Sequence, residues 1–227
     1  MAPRVPTLGD AIARLRKYYG SPARPPTSDP FELILLENVA YLASPAKRRE
    51  AFEELKRTVG TSPGAILAAS PKALERVAAR GILKGTSAAK LRDCARTAVE
   101  DFDGNVDRQL EDSLPAAKRA LRRFPGIGEP GAEKILLFAG RQAVLAPDSN
   151  GLRVLVRLGL VREHKSYSTT YAGSRGAAKA LPAKPSVLQE AHLLLQQHGQ
   201  TLCKRAAPLC EVCPLAHGCA YRQKLGE

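Results

Sequence analysis

The stretch FPGIGEPGAEKILLF, residues 124–138, contains two glycines two positions apart, and a helix is predicted to begin immediately after them. Gly126 and Gly128 have no Cβ, so backbone N–H groups can turn outward there without steric hindrance. The helix that begins at Glu129 or Pro130 places the positive end of its dipole at the same point. The turn is suited to holding a phosphate group, although a plain turn between two antiparallel helices has the same pattern.

The chain of 227 residues is strongly basic, with 35 Lys and Arg against 22 Asp and Glu and a formal net charge of +13. Solubility of a small domain calls for a net charge of only about 2 to 8 in magnitude. The excess favours a polyanionic partner, with nucleic acid as the first candidate. The segment before the glycine turn, 115–124, contributes Lys118, Arg119, Arg122 and Arg123. We therefore interpret the turn as a contact to the DNA backbone.

Helical periodicity runs through nearly the whole chain, and strict alternation of polar and apolar residues is almost absent. Signals for helix starts stand at Thr7 and Ser70, and signals for helix ends stand at Gly20, Gly104 and Gly140. No segment approaches the ~18 consecutive apolar residues of a membrane span. The sequence predicts an all-α fold of many short helices, in a cytosolic protein without a membrane partner.

Composition suggests a division into two lobes. Residues 1–29 are predicted to form one helix followed by a linker. Residues 30–147 are predicted to form a compact helical body that contains the helix-hairpin-helix segment 115–139. Because chain ends often lie near each other, we expect the first helix to join 148–227 in a second lobe. The basic, alanine-rich stretch 173–185 gives no clear prediction of order.

Four of the five cysteines are crowded into CKRAAPLCEVCPLAHGC, residues 203–219. They are Cys203, Cys210, Cys213 and Cys219, spaced C-x6-C-x2-C-x5-C. In a reducing compartment this crowding indicates a metal site rather than disulfides. Four thiolates can bind one tetrahedral zinc ion or a cubane iron-sulfur cluster, and the residues alone do not decide between them. Cys94 stands alone and is expected to be a small buried apolar residue.

The stretch 124–138 resembles the helix-hairpin-helix of the DNA glycosylase superfamily that includes endonuclease III, in which such a hairpin grips the phosphate backbone. The resemblance implies that Gly126, Ile127 and Gly128 contact DNA. Members that also cleave the strand carry a lysine two residues after the second glycine, where this chain has Pro130. Proline has no amine and cannot form a Schiff base, which argues for a monofunctional enzyme. Lys134, further along the helix, is the alternative nucleophile.

The segment PDSNGLRVLVRLG, residues 147–159, follows the hairpin. Asp148 precedes a helix, and its position alone predicts an N-cap. The segment also resembles the Asp-x-Asn-x-x-Arg-Val pattern of the same superfamily. The resemblance implies that Asp148 lies at the mouth of the base pocket, where its charge stabilises the cationic sugar or orients the attacking water. Asn150 and Arg153 are the matching DNA-binding candidates.

A second acid, Glu37, lies in PFELILLENVAYLAS, residues 30–44, on an otherwise apolar helix face. Burial there would favour a protonated carboxyl that can act as a general acid, and the alternative is a polar notch at the solvent next to Asn38. The stretch resembles the Pro-Phe-Glu-Leu helix of endonuclease III, and Glu37 resembles the glutamate with which the adenine glycosylases protonate the departing base. Those enzymes carry a glutamine after this helix, whereas residues 41–43 read Tyr-Leu-Ala, so their substrates are not transferred to this chain.

The spacing and C-terminal position of the four cysteines resemble the cluster loop of endonuclease III. The resemblance implies a [4Fe-4S] cluster, with zinc as the alternative, and places Lys204 and Arg205 of the loop against DNA. The stretch RGILKGTSAAK, 80–90, resembles the intercalating loop of that enzyme. Its apolar residues Ile82 and Leu83 are candidates to enter the base stack during base flipping, unless they simply pack beneath the loop.

The resemblance extends from about Pro30 to Tyr221 and implies the two-lobed glycosylase fold. One lobe would be a six-helix barrel, and the other would combine the N-terminal helix with the iron-sulfur region. The implied activity is hydrolysis of the N-glycosidic bond of a flipped base in double-stranded DNA that carries a lesion or mismatch, by a monomer. The alternatives are a glycosylase with lyase activity through Lys134, and a non-catalytic, structure-specific DNA-binding protein.

Overall fold

The computed structural model describes residues 5–40, 43–81 and 83–225, so the wedge candidate Ile82 lies outside the described residues. The described chain is helical and contains no β-strand, which confirms the predicted all-α class. Its α-helices are α1 (Leu8–Tyr19), α2 (Pro30–Asn38), α3 (Pro45–Thr58), α4 (Pro63–Ala68), α5 (Pro71–Ala78), α6 (Lys84–Phe102), α7 (Leu114–Leu121), α8 (Glu129–Phe138), α9 (Ser149–Leu158), α10 (Tyr167–Ala178), α11 (Pro185–Thr201) and α12 (Ala220–Lys224). Over the ranges described, none of these helices is both long and apolar enough to cross a membrane.

The chain forms two compact units. The first unit combines Met1–Arg24 with Ala143–Glu227, and its core is built where α11 packs against α1 and α9. The second unit is Pro25–Gln142, in which the long helix α6 is packed by α2, α4 and α5. Both helices of the glycine hairpin, α7 and α8, belong to the second unit.

Local capping explains where several helices begin. Thr7 forms a capping box with Asp10, and the side chains of Ser44, Ser62 and Ser70 each accept a backbone N–H three residues later. A proline occupies the first turn after each of the three serines. A backbone N–H at this position has no acceptor within the helix, so proline, which lacks it, costs no hydrogen bond. The predicted helix starts at Thr7 and Ser70 are therefore confirmed.

Two helices extend over residues that the sequence analysis left outside a helix. Helix α6 begins at Lys84, so most of 80–90 lies inside a helix and the connection before it is short. Helix α10 runs to Ala178 and orders the first part of 173–185, because Tyr171 and Ser174 are buried along one side of it. In both cases tertiary packing stabilises a helix whose residues have only a modest helical preference.

Candidate phosphate-binding hairpin and acidic site

The turn between α7 and α8 exposes two glycine amides. Gly126 has φ +77° and Gly128 has φ −87°, and both residues are exposed. In the described chain neither amide donates a hydrogen bond, whereas the N–H of Ile127 donates to the carbonyl of Phe124 at 3.2 Å. The Ile127 side chain is 6% exposed and faces the core. The turn thus has two outward N–H groups at the start of a helix, a geometry that suits an anion.

Glycine is required at position 126 by what lies beneath it. A Cβ there would stand 2.5 Å from Oδ1 of Asn38, whose side chain is buried. The Nδ2 of Asn38 donates to the carbonyl of Ile34 at 3.1 Å, so the amide cannot easily move away. Cys94 lies next to Asn38 and is fully buried, as expected, and burial raises the pKa of its thiol to about 12.

The basic helix before the turn is partly neutralised. Nζ of Lys118 contacts Oε1 of the fully buried Glu133 at 2.8 Å and also binds Glu129, so α7 is tied to α8. Burial alone lowers the pKa of Lys118, but the hydrogen bonds and charges of the two glutamates raise it above its ordinary value. Arg119 and Arg122 are exposed and remain available for a phosphate group.

Glu37 does not lie in an apolar strip. Its Oε2 is 2.6 Å from Nζ of Lys134 and 3.4 Å from a guanidinium nitrogen of Arg48. Two cations stabilise the ionised carboxylate, whereas a general acid must carry a proton. The role of Glu37 as proton donor therefore stays a prediction, and Lys134 is held in an ion pair.

Asp148 is the N-cap of α9 and is held by three donors within the first unit. Its Oδ1 accepts from the N–H of Gly151 at 2.8 Å, and its Oδ2 accepts from Nε2 of Gln196 at 2.9 Å and from Nδ2 of Asn150 at 3.1 Å. Burial alone raises the pKa of Asp148, but these hydrogen bonds and the neighbouring His192 lower it below the ordinary value. The carboxylate is kept ionised and fixed in orientation.

Asn150 and Arg153 use their polar atoms inside this unit. Arg153 donates to Oδ1 of Asn150 at 2.9 Å, to the carbonyl of Gly199 at 2.7 Å and to the carbonyl of Cys203 at 2.9 Å. These bonds join the start of α9 to the end of α11 and to the cysteine loop. A direct DNA contact by either side chain stays a prediction.

The four clustered cysteines surround one cavity. Their thiols are free, and leucines form much of the remaining wall. Burial raises the pKa of the Cys213 thiol to about 11. In the described ranges no group of three or more His, Cys, Asp or Glu side chains is placed to hold a single metal ion. The four thiols thus line a shared space without meeting at one point.

Arg157 fixes the cysteine loop and was not identified from the sequence. Its guanidinium donates to the carbonyls of Lys204 at 2.7 Å and Arg205 at 3.0 Å, and it stacks on the ring of Tyr221 at 4.5 Å. The exposed side chains of Lys204 and Arg205 are thereby held on an ordered loop. Arg157 lies four residues after Arg153 on the same helix face, which is a signal that the sequence does contain.

Leu83 is the described member of the wedge pair. It precedes the first residue of α6 and its side chain is 47% exposed. About half of the side chain is therefore accessible for insertion into a base stack, and the other half is covered by the protein. Its contact with DNA stays a prediction.

Known proteins share both the sequence pattern and the fold. No protein-family model matches the chain. The thymine/uracil-DNA glycosylase of Pyrobaculum aerophilum is 26% identical over 130 residues, a match that spans only 56% of this chain and 56% of that protein. Endonuclease III of Thermotoga maritima is 24% identical over 202 residues, 88% of this chain and 87% of that one. Endonuclease III in a solved non-covalent complex with DNA has a TM-score of 0.77 at 21% identity over 95% of both chains.

Proposed function

We infer that this chain, a homologue of endonuclease III and other DNA glycosylases that shares their fold, is a DNA glycosylase of base excision repair. We assign it hydrolysis of the N-glycosidic bond of a damaged or mismatched base in double-stranded DNA. The observation that carries this proposal is the ionised, three-fold hydrogen-bonded Asp148 at the start of α9. Incubation with duplexes that each carry one lesion, and detection of free base by chromatography, tests it.

In this proposal the glycine hairpin binds the DNA backbone. The free N–H groups of Gly126 and Gly128 bind a phosphate oxygen, and the positive end of α8 adds to the attraction. The exposed arginines Arg119 of α7 and Arg122, directly after α7, increase the affinity without reading sequence. The hairpin fixes the strand so that the target nucleotide can leave the base stack.

Asp148 supplies the electrostatic part of catalysis. As the bond between base and sugar breaks, positive charge develops on the sugar ring, and a fixed carboxylate stabilises it. The same carboxylate can orient a water molecule for attack on the sugar. Because Oδ1 and Oδ2 are already held by protein donors, little reorganisation is needed when the charge develops. The released base takes up a proton. Glu37 is the donor that the resemblance implies, and it would first have to gain a proton from solvent, because Lys134 and Arg48 hold it as a carboxylate.

Pro130 and the ion pair of Lys134 support a monofunctional reaction. We expect that borohydride will not trap a covalent adduct between the protein and DNA, because no free amine stands at position 130 and Lys134 Nζ is bound to Glu37. Denaturing electrophoresis of labelled duplex after reduction measures this. A trapped adduct that disappears in Lys134→Ala, but persists in the exposed control Lys72→Ala, would overturn the prediction.

Gln196 should determine how the rate of base release falls at low pH. The substitution Gln196→Leu removes a hydrogen bond that lowers the pKa of Asp148. Ionisation of Asp148 should therefore require a higher pH in this variant. We expect the low-pH decline in base release to move to higher pH in this variant, with the rate nearly unchanged near about pH 8. The pH dependence of the single-turnover rate measures this shift.

Gln197→Leu is the matched control, because Gln197 neighbours Gln196 on α11 and its side chain has no hydrogen bond in the described chain. Equal shifts in both variants would contradict a specific effect on Asp148.

Since the pKa of Asp148 is lowered in the folded protein, its ionised form also stabilises the fold above the ordinary pKa of aspartate. That contribution is lost as the pH falls through the lowered pKa.

The cysteine loop fits an iron-sulfur cluster by its donor set. Four thiols line one cavity whose wall is largely apolar and includes no carboxylate, and four cysteines are the usual ligand set of such a cluster. Cys203, Cys210, Cys213 and Cys219 would hold a [4Fe-4S] cluster. Its contribution when bound is to order the loop that carries Lys204 and Arg205.

We expect the purified protein to be brown, with broad absorption near about 400 nm and about four iron atoms per chain. Cys213→Ser should remove most of the absorption and lower the thermal midpoint, whereas Cys94→Ser should leave the iron content unchanged because Cys94 lies outside the loop. Iron and zinc analysis of the same preparation checks the assignment. Stoichiometric zinc without iron would contradict the cluster and support the zinc alternative.

A further inference from the structure

A second basic surface lies in the first unit, away from the glycine hairpin in the sequence. It is a cavity of about 850 Å³ between α9, the segment that follows α9, the cysteine loop and α12. Its basic lining residues are Arg153, Arg157, Arg162, Lys165, Arg205 and Lys224, and the acidic residue among the lining side chains is Glu163. We call it the α9–α12 cavity.

Three of the cations that line this cavity form no salt bridge in the described chain. In the described part of the chain, Arg162, Lys165 and Lys224 are exposed and take part in no salt bridge. Arg153 and Arg157 donate to backbone carbonyls, an amide oxygen and a thiol, none of which is a carboxylate. The cavity therefore carries a concentrated positive potential that attracts a polyanion.

Two tyrosines add aromatic surface to the same cavity. Tyr167 is 49% exposed, and Tyr221 lies against the guanidinium of Arg157 with 4.5 Å between Cζ and the ring centroid. Cations along a groove together with rings that can stack on bases are the combination by which proteins bind single-stranded nucleic acid. The bases of a duplex are already stacked on each other, so Tyr167 can stack only on an unpaired base.

The positive lining continues beyond this cavity. A second cavity of about 380 Å³ shares Ser149, Arg153 and Arg205 with it and is also lined by Asn150 and Lys204. Ser149 is the first residue of α9 and follows Asp148 directly. The two cavities together form a basic track that leads from the neighbourhood of Asp148 to α12.

We propose that the α9–α12 cavity binds a short stretch of unpaired DNA strand, with Arg162, Lys165 and Lys224 on its phosphates and Tyr167 stacked on a base. The volume of about 850 Å³ holds a few nucleotides of one strand. The proposal does not rest on base release, because its test measures the binding of an unpaired strand and not catalysis. The α9–α12 cavity thereby gives the protein a second DNA-binding surface, besides the hairpin that binds a duplex.

The test uses the full-length protein with its metal and a fluorescent oligo-dT of about eight nucleotides, a length within the usual range of single-strand sites. Fluorescence anisotropy compares the triple variant Arg162→Ala, Lys165→Ala, Lys224→Ala with the unchanged protein. We expect this triple variant to bind the oligonucleotide at least about tenfold more weakly. The magnitude of the slope of log affinity against log salt concentration should also fall by about two, because each lost phosphate contact lowers that magnitude by about 0.7.

The matched control is the triple variant Lys17→Ala, Lys179→Ala, Lys184→Ala. It removes the same charge from exposed lysines of the same unit outside the cavity, so we expect a loss within about twofold. Tyr167→Ala should weaken binding by roughly tenfold and Tyr167→Phe should restore it, since stacking needs the ring and not the hydroxyl.

Equal losses in the two triple variants would overturn the proposal, because net charge alone would then explain binding. If the cavity triple variant Arg162→Ala, Lys165→Ala, Lys224→Ala bound duplex DNA more weakly but oligo-dT as tightly as the unchanged protein, the proposal would also be overturned. The cavity would then be a contact for paired DNA. Displacement of oligo-dT by inorganic phosphate or dTMP at matched phosphate concentration would overturn it in favour of a free-anion site. Base release is measured in parallel, because its absence in the unchanged protein contradicts the proposed function and leaves the strand-binding result intact.

Discussion

Asp148→Asn is expected to slow base release by at least about a hundredfold, the usual cost of removing one electrostatic group aimed at a developing charge. DNA affinity should stay within about twofold, since the proposal assigns phosphate binding to the hairpin and asparagine is as good an N-cap as aspartate. The variant keeps the shape of the side chain and loses the negative charge that the hydrogen bonds to Gly151 and Gln196 stabilise. Single-turnover release of base and equilibrium binding of the same duplex measure the two effects separately.

Asp112→Asn is the control, because Asp112 is exposed and has no side-chain bond in the described chain. It should change neither quantity. A non-catalytic DNA-binding protein would show the same behaviour for both variants. An Asp148→Asn protein that releases base at the normal rate would therefore remove the main support for the enzymatic proposal.

Gly126→Ala is expected to destabilise the hairpin by about 2 to 5 kcal/mol and to weaken duplex binding at least about tenfold. The left-handed backbone at φ +77° costs a residue with a Cβ about 1 to 2 kcal/mol. The Cβ would also stand 2.5 Å from Oδ1 of Asn38, and such overpacking typically costs about 1 to 3 kcal/mol. Relief of this strain requires a turn that no longer points both amides outward. Urea unfolding and duplex titration measure the two losses.

Gly128→Ala provides a control within the same turn. Position 128 has φ −87°, and the nearest atom to a Cβ there is Cδ of Pro130 at 3.9 Å, so the substitution should cost less than about 1 kcal/mol. Combining Asn38→Ala with Gly126→Ala should recover part of the stability by removing the clash. Equal effects of the two glycine substitutions would contradict the specific requirement at position 126.

Local sequence signals predicted the parts of the structure that depend on neighbouring residues. The N-cap at Asp148, the helix starts at Thr7 and Ser70 and the glycine turn each use atoms within about four residues of one another, so a short pattern contains the whole interaction. The all-α class followed from periodicity for the same reason. Burial of Cys94 was predicted because no potential metal ligand accompanies it.

Contacts between distant segments could not be predicted in this way. Gln196 lies 48 residues from Asp148, and nothing in its own surroundings distinguishes it from Gln197. The neighbours of Glu37 on its own helix are apolar, and its partner Lys134 comes from another helix, so the ion pair leaves no local signal. Electrostatic partners of this kind are set by helix packing, and helix packing was not part of any local pattern.

The α9–α12 cavity illustrates the same limit at the level of a surface. Arg162 and Lys165 follow α9, Arg205 belongs to the cysteine loop, and Lys224 lies at the end of α12. Each is an ordinary exposed cation in the sequence. Only the fold of the first unit brings them to one concave surface beside the start of α9.

The central claim, hydrolysis of the glycosidic bond at Asp148 without an amine nucleophile, is tested most directly on the duplex from which base release is fastest. The labelled strand is analysed by denaturing electrophoresis with and without hot alkali, after single-turnover reaction. We expect one abasic site for each base released and a strand that breaks only after alkali. Strand breakage without alkali, or base release that continues in Asp148→Asn, would contradict the claim.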